Sequence, residues 1–471
     1  MGVLSSSIIH LFLILQLQTL FVLSQNIVNG SVPVGESLTA SESQQFSSSW
    51  RSPSGDFAFG FRKIQQNDGF TLSIWFDKIS DKTIVWHAQV NTSTGLVPAG
   101  SKVTLTAGGG LVLVDHQGLQ LWNSSLSPSS GSVYRGRMTD AGNFILSSED
   151  SGVDLWTSFA NPTDTLLPTQ SIQVGGSLAS RRTEANFTKG RFRLRLGDDG
   201  NLQLAVLNSN TDANFNYYES DTKDPNPGTR LVFNESGYMY VLQTYNSTRF
   251  LVNTKDPVSS RDYYQRVVLL FDGVLSQYYH PKRQGSNGTG WLLSWALPEN
   301  ICQRSSSLGN MACGYNNICS LGDDQRPKCQ CPERFSLMDP EDAYGDCVPD
   351  FQMQTCGPEK NKTANANANA DVNLYELIPL DRTNFPSGDY EKYENYDEER
   401  CKKACLNDCF CAAVVFGLDG VCWKKKFPLS FGQRAAIGNI DDTRNSYTLL
   451  KVLTSAADVQ SPEAKGKIST G

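Results

Sequence analysis

All twelve cysteines of this 471-residue chain lie between Cys302 and Cys422, and the first 301 residues contain none. A long stretch without cross-links must hold itself together by burying apolar surface, whereas a short cysteine-dense stretch can rely on bridges. Two kinds of architecture therefore share one chain. Composition allows both: 39% hydrophobic and 19% charged residues with 39 Gly and 20 Pro suit a folded chain and exclude disordered, collagenous and coiled-coil classes. A formal net charge of -7 supplies no basic field for a phosphate backbone, so nucleic acid is not an expected partner.

Residues 8–23 form an apolar run interrupted by Gln16, Gln18 and Thr19 and followed by Ser24. This reads as a signal peptide over residues 1–24, although its start lacks Lys or Arg. The run is too interrupted for a bilayer span, which needs about 20 apolar residues. Asn-X-Ser/Thr sequons stand at Asn29, Asn91, Asn123, Asn186, Asn234, Asn246, Asn287 and Asn361, while Pro162 disqualifies Asn161. Eight sequons, an even cysteine set and a leader favour an oxidising, glycosylating export route. The tail after Leu450 is small and polar, so the expected location is extracellular, with no membrane span in this sequence.

Residues 26–160 alternate apolar and polar positions in short runs separated by Gly, Asn, Asp and Ser, the pattern of antiparallel strands with one buried face. Examples are FAFGF at 57–61, LSIWF at 72–76 and LVLV at 111–114. A repeat is also present. Trp86, Trp122 and Trp156 follow one another at about 35 residues, and GLVLVDHQGLQLW at 110–122 matches NFILSSEDSGVDLW at 143–156 with one insertion. Three such units predict a closed pseudo-threefold set of sheets, each contributing a Trp that it could not bury alone.

This repeat resembles the bulb-type (monocot mannose-binding) lectin domain, a β-prism. LWTSFANPTDTLLP at 155–168 is similar to the signature that follows that domain in plant S-domain, or G-type lectin, receptor-like kinases; VWHA at 85–88 and FAFGF at 57–61 are similar to two of its strands. NESGYMY at 234–240 and DGVLSQY at 272–278 look like the LECRK-type subgroup. Residues 160–297 continue in the same strand-rich style (GRFRLRL, GNLQL, VVLLF) and end at Trp291 and Trp295. The resemblance implies a second, divergent bulb-lectin-like domain there.

Bulb lectins carry Q-x-D-x-N-x-V-x-Y, in which Gln, Asp, Asn and Tyr hydrogen-bond mannose hydroxyls and Val packs on the ring. The matching positions here are Thr139, Ala141, Asn143, Ile145 and Ser147 in one turn, and Gly197, Asp199, Asn201, Gln203 and Ala205 in another; around Gly109 and Gly110 only Val112 is kept. The candidate carbohydrate contacts are therefore Asp199, Asn201 and Asn143. A sugar hydroxyl that loses its polar partner loses much of its affinity, so the plainer expectation is that Asp199, Gly200 and Asn201 make only a turn.

In the cysteine-dense part, six cysteines from Cys302 to Cys347 include a C-x-C step, and fifteen pairings are open to them. Zinc is disfavoured by export and by the lack of His in the segment. The segment resembles an EGF-like module, which implies bridges Cys302–Cys319, Cys313–Cys329 and Cys331–Cys347. A calcium-binding start is missing before Cys302. Further on, Asn395 is the expected cap of a helix carrying Cys401 and Cys405 one turn apart. The spacing through Cys409, Cys411 and Cys422 resembles a PAN/apple domain. That resemblance implies Cys401–Cys422 and Cys405–Cys411, leaving Cys356–Cys409. The Asn/Ala stretch at 361–370 reads as an inserted loop, and Lys424, Lys425 and Lys426 as a solvated run.

No nucleophile, metal or kinase motif occurs in the sequence, so no catalytic residue, metal or cofactor is expected. The expected fold class is mostly β: tandem β-prism domains followed by small disulfide-rich EGF-like and PAN/apple modules. The boundaries are 1–24 leader, 25–159 bulb-type lectin domain, 160–297 second lectin-like domain, 298–350 EGF-like, 351–450 PAN/apple and 451–471 tail. In the resembled family such an ectodomain precedes a transmembrane helix and a cytoplasmic Ser/Thr kinase, and it serves recognition in surface signalling, including self-incompatibility and defence. The implied role is recognition of a protein or glycan ligand, with association among S-domain receptors. A stand-alone mannose lectin and a portion of a full-length receptor kinase are the alternatives.

Overall fold

A computed structural model describes residues 30–42, 49–127, 131–148, 152–207, 214–251, 258–282, 290–303, 312–354, 356, 374–435 and 446–454. The chain divides into two compact units, residues 1–296 and 297–471.

The first unit is built twice over from one plan. Three short strands, Ser31–Pro33, Ser37–Thr39 and Ser49–Arg51, are followed by three antiparallel triplets: Phe57–Ile64 with Gly69–Phe76 and Ile84–His87; Lys102–Thr106 with Gly110–Val114 and Gln120–Asn123; Val133–Met138 with Phe144–Ser148 and Asp154–Thr157. The short strands complete the triplets in reverse order, so Ser49–Arg51 joins the first, Ser37–Thr39 the second and Ser31–Pro33 the third. Each four-stranded sheet thereby ties the start of the domain to a later point, and the three close on one another as a prism. The same nesting recurs with Thr165–Leu166, Ser171–Gln173 and Ser177–Arg181 as short strands. Their triplets run from Lys189–Leu196 through Asn214–Glu219, Gly228–Phe233 through Thr248–Phe250, and Tyr263–Leu269 through Leu292–Leu297.

Alternation along the strands explains why the prism fills. In Lys102–Thr106 both Val103 and Leu105 point inward and are fully buried, as are Leu111 and Leu113 of the partner strand. Trp86, Trp122 and Trp156 each stand on the last strand of a triplet, opposite Ile74, Leu113 and Leu146. Their rings meet edge to face, with centroids 5.8–6.2 Å apart, around the pseudo-threefold axis. The 35-residue period of the sequence is thus the angular period of the prism.

The prisms are joined along a seam. Trp86 Nε1 donates to Asn161 O at 2.8 Å, Trp291 Nε1 to Thr83 Oγ1 at 2.7 Å, and Phe187 N to Thr94 O at 2.8 Å. Inside the second prism the Trp triad has no counterpart. Tyr217, with its hydroxyl bonded to Gly273 O at 2.6 Å, and Trp295, bonded to Gln277, occupy its core instead.

In the second unit the hairpin of Ile318–Leu321 and Pro327–Gln330 is extended in parallel by Gly432–Arg434, which Thr383–Asn384 joins antiparallel. A five-stranded sheet runs in the order Tyr375–Leu380, Ser446–Leu453, Ala413–Gly417, Cys422–Lys425, Asp389–Tyr393. The helix Glu398–Leu406 packs on it through Cys401 and Cys405, both fully buried. Its cap differs from the one expected at Asn395. Asp397 accepts the Arg400 N–H at 2.7 Å, while Asn395 takes φ 58° in the preceding turn. Two acidic residues follow Asp397 in the first turn, so the cap lies next to the helix that its charge favours.

The lysine run also departs from expectation. Lys424 and Lys425 are each 3% exposed. Lys424 Nζ donates to Glu391 at 2.8 Å and to Asp408, and Lys425 pairs with Asp389. Glu391 and Asp389 lie on the neighbouring strand, so cross-strand pairing gives these cations partners that sequence distance hid.

Candidate carbohydrate sites

The first three motif positions fall on the tight turns that link the first two strands of a triplet, and the last two on the strand that follows. In the first prism, Thr139 N–H donates to Asn143 O at 3.0 Å, and Thr139 Oγ1 closes the same turn. Gly142 takes φ 85° there, and a Cβ would stand 2.4 Å from Leu167 and 2.8 Å from Phe57, so only glycine fits. Asn143 Oδ1 accepts from Ser158 Oγ at 3.0 Å and from Phe159 N–H at 3.1 Å. Its Nδ2 has no partner among the described residues. Ala141 is exposed, Ile145 is buried and Ser147 donates to Asp154 at 3.3 Å.

The second prism repeats the arrangement. Gly197 N–H donates to Asn201 O at 2.9 Å, and exposed Asp199 accepts the Asn201 N–H at 3.0 Å. Asn201 is 1% exposed. Its Oδ1 accepts from Ser220 Oγ and Thr222 N–H, and its Nδ2 donates to Glu219 at 3.2 Å. The structure therefore places Asp199 at the surface and Asn201 behind it, with all three carboxamide bonds of Asn201 made to protein.

Sequence reasoning missed the serine behind each turn. Ser124, Ser158 and Ser220 accept the N–H of Leu111, Phe144 and Leu202 at 3.1, 2.9 and 3.0 Å. The signal was present as Trp-x-Ser at 122–124 and 156–158. These serines and the asparagines beside them satisfy buried backbone where strands begin.

Histidine chemistry is absent from these turns. His87 is 3% exposed, edge-on to Phe187 at 5.1 Å, and burial pulls its pKa down from 6.5 to about 4, only partly opposed by Asp164. Among the described residues no group of three potential ligands could hold a metal ion, and no helix is long and apolar enough to cross a membrane.

Six bridges hold the second unit: Cys302–Cys319, Cys313–Cys329, Cys331–Cys347, Cys356–Cys409, Cys401–Cys422 and Cys405–Cys411, with Cα atoms 5.2–5.8 Å apart. Cys401–Cys422 ties the helix to the sheet, and Cys405–Cys411 closes its C-terminal turn. Lys451 Nζ reaches that helix end and donates to Cys405 O at 3.2 Å, Asp408 O at 3.0 Å and Gln354 at 2.6 Å. Of the sequons, Asn91 and Asn246 are exposed and Asn123, Asn186 and Asn234 half-buried, while Asn29, Asn287 and Asn361 lie outside the described residues.

Nested three-sheet prisms, one after the other, give the first unit a tandem β-prism fold. Residues 83–187 match the family model described as D-mannose binding lectin. The chain is 63% identical, over 98% of its length, to the G-type lectin S-receptor-like serine/threonine-protein kinase RLK1 of Arabidopsis thaliana, and covers 54% of that protein. It is 38% identical, over 90% of its length, to the kinase LECRK2 of Oryza sativa subsp. indica, and covers 51% of it. Among solved structures it is similar to the two-domain Scilla campanulata agglutinin, a fetuin-binding protein, at 19% identity over 55% of this chain and 93% of that one, with a TM-score of 0.21. It is also similar to the Colocasia esculenta agglutinin with mannose bound, at 21% identity over 27% of this chain and 98% of that one, with a TM-score of 0.18. The chain spans about half the length of the curated relatives it matches. It is a relative of these G-type lectin S-receptor-like kinases.

Proposed function

We propose that the chain acts as an extracellular recognition ectodomain, displayed or released at the plant cell surface, that binds a protein or glycan ligand in signalling or defence. The observation that carries this reading is the 63% identity with RLK1 along 98% of the chain, all of it within the half of that relative that the chain covers. Twelve cysteines without a free thiol and eight sequons support an oxidising export route. In this reading residues 1–24 are a leader, 25–159 and 160–297 two lectin domains, 298–350 an EGF-like module and 351–450 a PAN/apple domain. The chain itself is not an enzyme, and a kinase would belong to a longer product. The six cysteine pairs form in the secreted protein, and the eight sequons are its glycan acceptors.

Expression in a secretory plant host tests the route. Intact-mass and peptide analysis is expected to show cleavage near Ser24, six bridges and glycan on exposed Asn91 and Asn246. A retained, reduced and unglycosylated product would contradict it. S-domain association is the accompanying expectation, and light scattering that shows only monomer at high micromolar concentration would remove it.

Stand-alone mannose binding at the outer turns is the second reading, favoured only by the unpartnered Nδ2 of Asn143 and the exposed carboxylate of Asp199. A glycan array is expected to show no saturable mannose binding that Asp199→Ala abolishes.

A further inference from the structure

A cavity of about 230 Å³ opens between the two prisms. Its apolar floor comes from both: Phe57 and Phe76 of the first, with ring centroids 4.7 Å apart, and Tyr264 of the second, 5.2 Å from Phe76. Tyr264 is held in place by its hydroxyl, which donates to Asp56 at 3.0 Å. The lining also includes Glu235 and Lys282, whose carboxylate and ammonium form no hydrogen bond or ion pair among the described residues, and Tyr263, whose ring lies 5.5 Å from that of Tyr279 and whose hydroxyl likewise has no partner among them. Lys282 Nζ lies 5.1 Å over the Tyr264 ring. Asp140, in the turn just before Gly142, completes the rim and accepts the Ser54 N–H at 2.8 Å.

We infer that this cleft binds one neutral hexopyranose residue of a glycan. A pyranose offers a C–H face that packs on aromatic rings, edged by hydroxyls that both donate and accept. Glu235 and Asp140 can only accept, Lys282 can only donate, and Tyr263 does either, so the set meets hydroxyls of both roles. Two carboxylates against one ammonium oppose an acidic sugar. The volume lies below the roughly 300 Å³ at which pockets for larger ligands begin, which suits a single ring, and domain junctions are preferred places for such sites. The site is separate from the outer turns of Asn143 and Asp199, and it rests on the recognition reading only in taking a glycan as ligand.

Saturation-transfer NMR on the full glycosylated chain, titrated with methyl α-mannopyranoside, methyl β-glucopyranoside and galacturonic acid, tests it. At least one neutral glycoside is expected to saturate, and galacturonate is not. Glu235→Ala and Lys282→Ala should each weaken binding by about tenfold or more, and Tyr263→Phe, which removes one oxygen, by roughly two- to tenfold. Asp199→Ala should leave it intact. Unchanged thermal melting of the variants excludes misfolding as the cause. The inference is overturned if no neutral glycoside saturates, if galacturonate competes equally, or if the three cleft variants bind like wild type. Loss in Asp199→Ala alone would return the sugar to the outer turn and overturn the cleft. Secretion and glycosylation of the same preparations report separately on the recognition reading.

Discussion

In the first unit, residues such as Phe59, Leu72, Leu105, Phe144 and Leu146 are fully buried in one continuous core that also takes in Trp50, Trp86 and Trp156. In the second unit the comparable positions around Val414, Phe416 and Leu449 are shared with Cys401, Cys405, Cys411 and Cys422, so sulfur bridges form part of the core itself. Both units bury charge: in the first, Asp164 pairs with Arg181 at 2.8 Å. The second unit buries Lys424 and Lys425 between strands and sets them against carboxylates, and it spends Lys451 on a helix end. Where apolar side chains are plentiful, their burial closes the fold without cross-links; where they are few, cross-links stand in for them.

Selective damage sharpens that contrast. Trp156→Ala removes one third of the aromatic junction and should cost the first unit about 3–5 kcal/mol. Calorimetry is expected to show its melting transition fall while that of the second unit stays. A shift of both together would break the comparison.

Acid should act on the same unit. His87 is kept neutral by burial, with its pKa lowered to about 4, while the unfolded chain protonates near 6.5. Between those values the unfolded state takes up a proton that the folded state refuses. The stability held by neutral His87 is therefore complete above pH 6.5 and lost as pH falls towards 4, on the order of 3 kcal/mol. His87→Gln is expected to flatten that slope in chemical denaturation. An unchanged slope would assign the acid sensitivity to other groups.

Lys424→Ala is the smaller test, directed at the second unit. It leaves Glu391 and Asp408 without their shared cation, but these carboxylates are 43% and 22% exposed and water screens part of the loss. The expected cost is about 1–2 kcal/mol in urea unfolding. A cost above that of Trp156→Ala would show that the ion cluster outranks apolar packing.

The mostly β prism was legible because strand alternation and the Trp period are local signals with a fixed geometric meaning. The spacing of Trp86, Trp122 and Trp156 carries the threefold closure of the sheets and the burial of one Trp from each. Features that depend on partners distant in sequence were not legible. Glu391 and Asp389, beside Lys424 and Lys425, sit on a strand more than 30 residues away, and Tyr264 meets Asp56 across 208 residues. The helix cap shifted from Asn395 to Asp397 because both residue types cap well and only the turn geometry separates them. At the outer turns the motif positions could be found but not the use made of them. Ser158 and Ser220, which draw Asn143 and Asn201 inward, lie 15 and 19 residues further along.

Hydrogen exchange read by mass spectrometry, with and without a thiol reductant, tests most directly whether the two units are held by different chemistry. Reduction is expected to strip protection from residues 312–350, 374–435 and 446–454, because native bridges in small domains are worth about 2–5 kcal/mol each, and to leave residues 49–127, 131–148 and 152–207 protected. Equal loss in both units, or retention in both, would contradict the account.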